Sequence, residues 1–132
     1  MLESPARVQF ERIAALDDPR IDLAEAALWI AAEEYPELDV AAQLAKLDAL
    51  AAAAMSRVTR GADALERVER LNDFLYRESG FSGNRADYYD ARNSFLNDVL
   101  ERRTGIPITL AIVWISVAER LGLAAHGIGF PG

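Results

Sequence analysis

The stretch Asn93-Ser94-Phe95-Leu96-Asn97-Asp98-Val99-Leu100-Glu101-Arg102-Arg103-Thr104-Gly105-Ile106-Pro107-Ile108-Thr109-Leu110 decides the fold. It reads as a short helix, a tight break at Thr104-Gly105, and a second helix that opens on a proline. Proline suits such a start: its fixed φ matches the first helical turn, and the N–H it lacks is unneeded there. The second helix runs from Pro107 to Leu121 and meets Gly122. Leu110, Val113, Trp114, Val117 and Leu121 form one apolar face, and Ile108, Ile112 and Ile115 form another. A helix apolar on nearly every side calls for protein all around it.

Four helices precede this pair. Ser4-Pro5 supplies a cap and a first-turn proline, with Val8, Ile13 and Leu16 as the apolar face and Asp17-Asp18-Pro19 as the end. Asp22-x-x-Glu25 resembles a capping box and opens a helix patterned on Leu23, Ala27, Ile30 and Ala31, which Tyr35-Pro36 stops. Asp39 caps a third, with Val40, Leu44, Leu47, Ala51 and Met55 at three- and four-residue steps and Gly61 as the break. Asp63-x-x-Glu66 opens a fourth, with Leu65, Val68, Leu71, Asn72 and Leu75 on one stripe and Gly80 at its end. Residues 80–92 form the long irregular segment, a place where function often resides. After Gly122, Ala125 to Phe130 looks like a glycine-rich strand. The expectation is a mainly α chain of five to six helices with at most one C-terminal strand. It forms a single domain over 1–132, with N-terminal helices in 1–80 and the motif region in 81–132.

Composition narrows the chemistry. The 132 residues carry a net charge of −7 with no basic stripe, which disfavours nucleic acid and anionic membranes. There is no cysteine, so disulfides, thiolate catalysis and cysteine metal sites are excluded for this sequence, and a reducing cytoplasmic setting fits. Met1 to Pro5 has neither a basic nor an apolar signal region, and no apolar run is long enough to span a bilayer. Basic charge is nearly all arginine, with Lys46 the single lysine; with the abundant alanine this points to a GC-rich bacterial source. His126 alone gives a transition metal almost no ligands and reads as a surface or packing residue. The acid pairs Asp17-Asp18, Glu33-Glu34 and Asp87 with Asp90 could suggest glycosidase carboxylates or calcium ligands, but no calcium-loop pattern occurs and they read as solvated acids at helix ends or on polar faces; no phosphate-binding loop or other cofactor signature occurs. Thr109 has a hydroxyl but no histidine near it in sequence, so it reads as a helix-terminal group bonding to backbone.

The loop Gly80-Phe81-Ser82-Gly83-Asn84, then Asp87-Tyr88-Tyr89-Asp90, Asn93 to Leu96, Val99 to Leu110, and Gly127-Ile128-Gly129-Phe130-Pro131-Gly132 together resemble the bacterial SirB family of transglutaminase-like proteins. Asp22 to Met55 resembles the family's N-terminal helices more loosely. Two positions depart: Ala91 stands where the family implies a proline, and Ala124-Ala125 replaces a proline-containing turn.

The resemblance implies the helical half of a transglutaminase-like α+β domain. In active relatives the nucleophilic cysteine opens a buried helix, whose dipole favours the thiolate, and a histidine held by an acid serves as base. Overlaying Gly-x-Cys…Leu-Gly on Gly105-x-Pro107…Leu121-Gly122 puts Pro107 at the cysteine position. The histidine and acid would lie beyond Gly132, and the chain reads as a piece of a longer protein. The motif residues Asn84, Tyr88, Asn93, Ser94, Asn97, Gly105, Pro107 and Thr109 are then the candidate remnant of a cleft. Asn93 is a good N-cap candidate, and caps and buried amide bonds explain Asn93, Ser94 and Asn97 better than a cleft does. The implied function is a non-catalytic protein-interaction or regulatory module. The competitors are a transglutaminase-like enzyme, acyl transferase or hydrolase, whose active residues lie outside this chain, and a purely architectural domain. The partner is an unknown protein, and the last helix and strand offer a surface for a symmetric dimer.

Overall fold

The computed structural model describes residues 4–14 and 22–123. Among them six α-helices carry the fold: α1 (Pro5–Ala14), α2 (Leu23–Glu34), α3 (Val40–Val58), α4 (Ala64–Asn72), α5 (Leu96–Arg102) and α6 (Pro107–Arg120). The chain is mainly α, as its patterning indicates. No described helix is long and apolar enough to cross a membrane.

The helix starts follow the sequence signals closely. Asp22, Asp39 and Asp63 each sit in extended backbone. Each accepts the amide three residues on, at 3.0, 3.1 and 2.8 Å. Ser4 does the same for Arg7 N at 3.1 Å. These bonds satisfy donors that a helix start otherwise leaves unpaired. The reciprocal half of the capping box is absent at α2, where Glu25 instead accepts the Trp29 indole N–H at 3.0 Å. Glu66 reaches back past the cap to Ala62 N at 3.2 Å.

The faces are less faithful. In α2 the inward residues are Ala24, Leu28, Ala31 and Ala32, whereas Leu23 and Ile30 are half exposed. Almost every position of α2 before Glu33 is apolar, so spacing alone selects no face, and the buried positions are mostly alanines. Met55 and Leu65 likewise point outward, while Ala54, Val58, Leu71 and Leu75 point inward. Val8 is half exposed, and Ala6 is buried. In α6 the buried side is Thr109, Val113, Trp114, Ser116, Val117 and Ala118, and Ile108 remains 65% exposed. The expectation of a helix enclosed on all sides is therefore corrected to one dominant buried face. Leu16, Asp17-Asp18-Pro19 and the strand expected at His126 to Phe130 lie outside the described residues.

Asn72, which the stripe of α4 included, has a specific use: its Oδ1 accepts the Trp114 indole N–H at 2.6 Å. Beyond Asn72 the helix widens into a π-turn, Asp73–Glu78, which buries the consecutive Phe74 and Leu75. Ser79 N donates to Phe74 O at 2.8 Å, and Phe81 N donates to Leu75 O at 3.0 Å. Gly80, with φ 79°, makes this left-handed exit without strain.

Two short strands then appear that the sequence does not announce. β1 (Ser82–Gly83) pairs in parallel with β2 (Thr104–Gly105), in register Ser82 to Thr104 and Gly83 to Gly105. Ser82 N donates to Arg103 O at 3.0 Å and Asn84 N to Gly105 O at 3.1 Å. Two residues are too few to show alternation, which is the signal a strand leaves in a sequence. Their effect is to bring the 80–92 segment against the break before α6.

Candidate functional site

The parallel strand pair brings the motif residues together. Asn93 closes a 3₁₀ turn (Ala91–Asn93) and is fully buried. Its Oδ1 accepts from Asn84 Nδ2 at 3.0 Å, and its Nδ2 donates to the carbonyls of Asp87 at 3.1 Å and Tyr88 at 3.0 Å. Asn84 Oδ1 in turn accepts Asp87 N at 2.9 Å. The loop 84–93 is thereby closed on itself by two amide side chains.

Thr109 fastens that loop to α6. Its hydroxyl lies 2.8 Å from Asn93 O and 3.1 Å from Ile106 O, the two carbonyls it can donate to, and accepts Ile106 N at 3.1 Å. The Thr109 side chain therefore caps α6 from inside its first turn. Gly105 is required by closeness, since a Cβ there would stand 2.7 Å from Thr109 Oγ1 and 3.1 and 3.2 Å from the two Val99 methyls.

The other candidates are placed apart from this clamp. Tyr88 contributes only its backbone carbonyl, and its ring is 60% exposed. Ser94 is exposed on the surface after the 3₁₀ turn. Asn97 lies in α5 with a buried Oδ1 that accepts no hydrogen bond among the described residues. Pro107 is the exposed first residue of α6. Asn93 is not the N-cap of α5: Phe95 holds that position with no side-chain cap, because the Asn93 amide is already committed to the loop.

The reading of Asp90 as a solvated acid is corrected: its side chain is mostly buried and starts the turn. Asp90 accepts Arg92 N at 2.9 Å and the Arg92 guanidinium at 2.6 to 3.1 Å, with Arg102 at 3.6 Å. The Arg92 side-chain hydrogen bond, then its amide, hold the Asp90 pKa down to about 2. The available signal was Asp90 two residues before Arg92, the spacing at which an Asx side chain accepts a backbone N–H. Asp90 has extended backbone (φ −62°, ψ 121°), the geometry favoured before a proline, although Ala91 follows it here.

A depressed carboxyl pKa contributes stability above its unfolded value, near 4, and that contribution is lost as pH falls toward the folded value of about 2. Chemical denaturation between pH 5 and pH 2 is thus expected to show an acid-labile component that Asp90→Asn lacks. An identical acid limb in the variant would contradict the assignment. Nearby, Tyr35 OH donates to Asp98 at 2.6 Å and packs edge-on to Phe95 at 5.6 Å, tying α2 to α5; this donation is also the main cause that raises the Tyr35 pKa.

The arrangement offers little to nucleophilic chemistry. The position that opens α6 is a proline with no reactive group. The one hydroxyl beside it has its donor and one acceptor site engaged with backbone. No group of three or more His, Asp or Glu side chains able to hold a metal occurs among the described residues.

Comparison with known proteins places these features in a family. The profile described as transglutaminase-like superfamily matches residues 41–132. A UPF0162 protein of Xylella fastidiosa is 38% identical over all 132 residues, which cover 47% of that relative. A UPF0162 protein of Vibrio cholerae is 34% identical over 115 residues, 87% of this chain and 43% of that one. The F-box only protein 21 of Mus musculus is 42% identical over 64 residues, 48% of this chain and 10% of that protein. No solved structure matches. This chain spans about half the length of the bacterial relatives it matches. With the family profile covering more than half of its residues, the chain belongs to the transglutaminase-like superfamily.

Proposed function

We propose that this segment is a non-catalytic protein-interaction module, in which the transglutaminase-like helix start has become a clamp for a recognition loop. The observation that carries the reading is what the clamp presents. Asn84, Asn93 and Thr109 fix the backbone of 84–93, and that loop holds Tyr88 at 60% and Tyr89 at 92% exposure, their rings edge to face at 5.3 Å. Tyrosines on a rigid loop are favoured binding anchors: they bring large contact area and a hydroxyl at low entropic cost. Pro107, at the position where the resemblance implies the nucleophile, supports the same reading, as does the similarity of part of this segment to a stretch of a much longer mouse protein. The likeness to bacterial UPF0162 proteins and the absence of cysteine support a cytoplasmic bacterial setting, and the motif residues support the SirB assignment.

Two measurements test the proposal. Incubation with a primary amine and a glutamine-bearing protein is expected to give no transfer above a no-protein control, because covalent catalysis has no nucleophile here. Transfer that Thr109→Val abolishes without unfolding the chain would sink the non-catalytic reading. A photo-crosslinking residue at position 89, in the full-length bacterial protein in cells, is expected to give discrete adducts that the same residue at position 45 on α3 does not. Equal labelling from both positions would remove the loop as the interaction surface.

A further inference from the structure

A cleft of about 530 Å³ opens on the side of the fold between α3, the π-turn and the C-terminal end of α5. None of the clamp side chains lines it. Its apolar wall is Leu50, Ala53, Phe74, Phe81 and Leu100. Its charged residues are Lys46, Arg103 and Glu101, two cations against one acid in a chain of net charge −7.

Unusual backbone converges on this cleft. Phe74 lies in the π-turn and Ser79 follows it, and a π-turn inside a helix often marks a functional position. Arg103 has φ 57° and ψ 32°, and is the only described non-glycine residue with positive φ. Glycine or asparagine would hold that left-handed position at lower cost. What arginine adds is its guanidinium, which lies 5.5 Å over the Phe81 ring and donates from Nη1 to Ser79 O at 2.7 Å. Those two contacts fix the fork at the cleft wall while pairing it with no carboxylate among the described residues. Lys46, the single lysine of the sequence, is exposed and also has no acidic partner among the described residues. Both charges are thus positioned at an apolar cleft of the size that takes a small ligand.

We propose that this cleft binds a carboxylate carried on an apolar body, with Lys46 and Arg103 facing the acid and the Leu50–Phe74–Phe81 wall taking the body. A planar guanidinium matches a carboxylate with two parallel donors, and the ammonium adds a mobile second charge. The same chemistry is offered by a medium-chain fatty acid and by the C-terminus of a peptide ending in apolar residues. The site stands independently of the loop reading above, since it uses neither Tyr88 nor Tyr89.

The test is a titration of the full chain followed by amide chemical shifts, with octanoate, 1-octanol, and the acid and amide forms of acetyl-Ala-Leu-Phe as probes. Saturable shifts at Lys46, Ser79, Phe81 and Arg103 are expected with an acid and not with its uncharged counterpart. The better acid identifies the source: octanoate a free fatty acid, the tripeptide acid a peptide terminus. Lys46→Glu is expected to weaken the better probe at least tenfold, and Arg103→Asn, which keeps a residue that tolerates the left-handed backbone, to do the same. No saturable shift with either acid would overturn the proposal. So would equal binding of octanol and octanoate, or unchanged affinity in both variants when their spectra show the native fold.

Discussion

Asn93→Ala is expected to lower the unfolding free energy by about 3 kcal/mol, from the loss of three hydrogen bonds and the stranding of their partners in a part-buried loop. The carbonyls of Asp87 and Tyr88 lose their donor, and Asn84 Nδ2 loses its acceptor. Stranded polar groups make such a truncation far costlier than the net worth of the bonds themselves. Asn93→Asp separates the two halves of the side chain. It keeps an acceptor for Asn84 but turns an oxygen toward both carbonyls, so at neutral pH it is expected to lose at least as much as alanine. Urea denaturation of both variants reads this out. An alanine variant within about 1 kcal/mol of wild type, the worth of one ordinary hydrogen bond, would show that the amide is not what holds the loop.

Gly105→Ala is the second large effect, and it comes from crowding. The added methyl would stand 2.7 Å from Thr109 Oγ1 and 3.1 Å from a Val99 methyl. Thr109 cannot move away without releasing Asn93 O and Ile106, so overpacking and lost hydrogen bonds combine to about 3 kcal/mol. Thr109→Ala removes the colliding oxygen. The double variant is therefore expected to lose clearly less than the sum of the single losses, the mark of a shared contact. Additive losses would mean that the strain at Gly105 is relieved elsewhere.

How much of this was legible in the sequence depended on which physical signal each feature leaves. Helix starts leave strong local ones: Asp22, Asp39, Asp63 and Pro107 sit at their helix starts as the reading required, because a cap or a first-turn proline needs only its own few neighbours. Helix faces were partly legible. In α2 an apolar composition without polar punctuation hid the phase, and Leu23 and Ile30 turned out to face outward. In the fourth helix the expected stripe held at Leu71 and Leu75, which are buried, and failed at Leu65 near the helix start, which faces outward. At the candidate site the residue set was legible and its wiring was not. Asn84, Asn93, Gly105 and Thr109 meet only because β1 pairs with β2, a contact between segments about twenty residues apart with two residues on each side. Asn93 shows the consequence: its local context favours a helix cap, but the tertiary contact claims its amide for the loop.

The central claim is that the polar residues at the start of α6 serve to hold the 84–93 loop rather than to carry chemistry. Amide hydrogen exchange in wild type and Thr109→Val tests it most directly, because valine keeps the shape of threonine and removes only the hydroxyl that joins Asn93 O to Ile106. The amides of Asp87, Asn93 and Ser94 and those of the first hydrogen-bonded turn of α6 are expected to lose protection together, while the α3 amides keep theirs. Unchanged protection in the 84–93 loop would contradict the claim, since it would leave the Thr109 hydroxyl without a structural task.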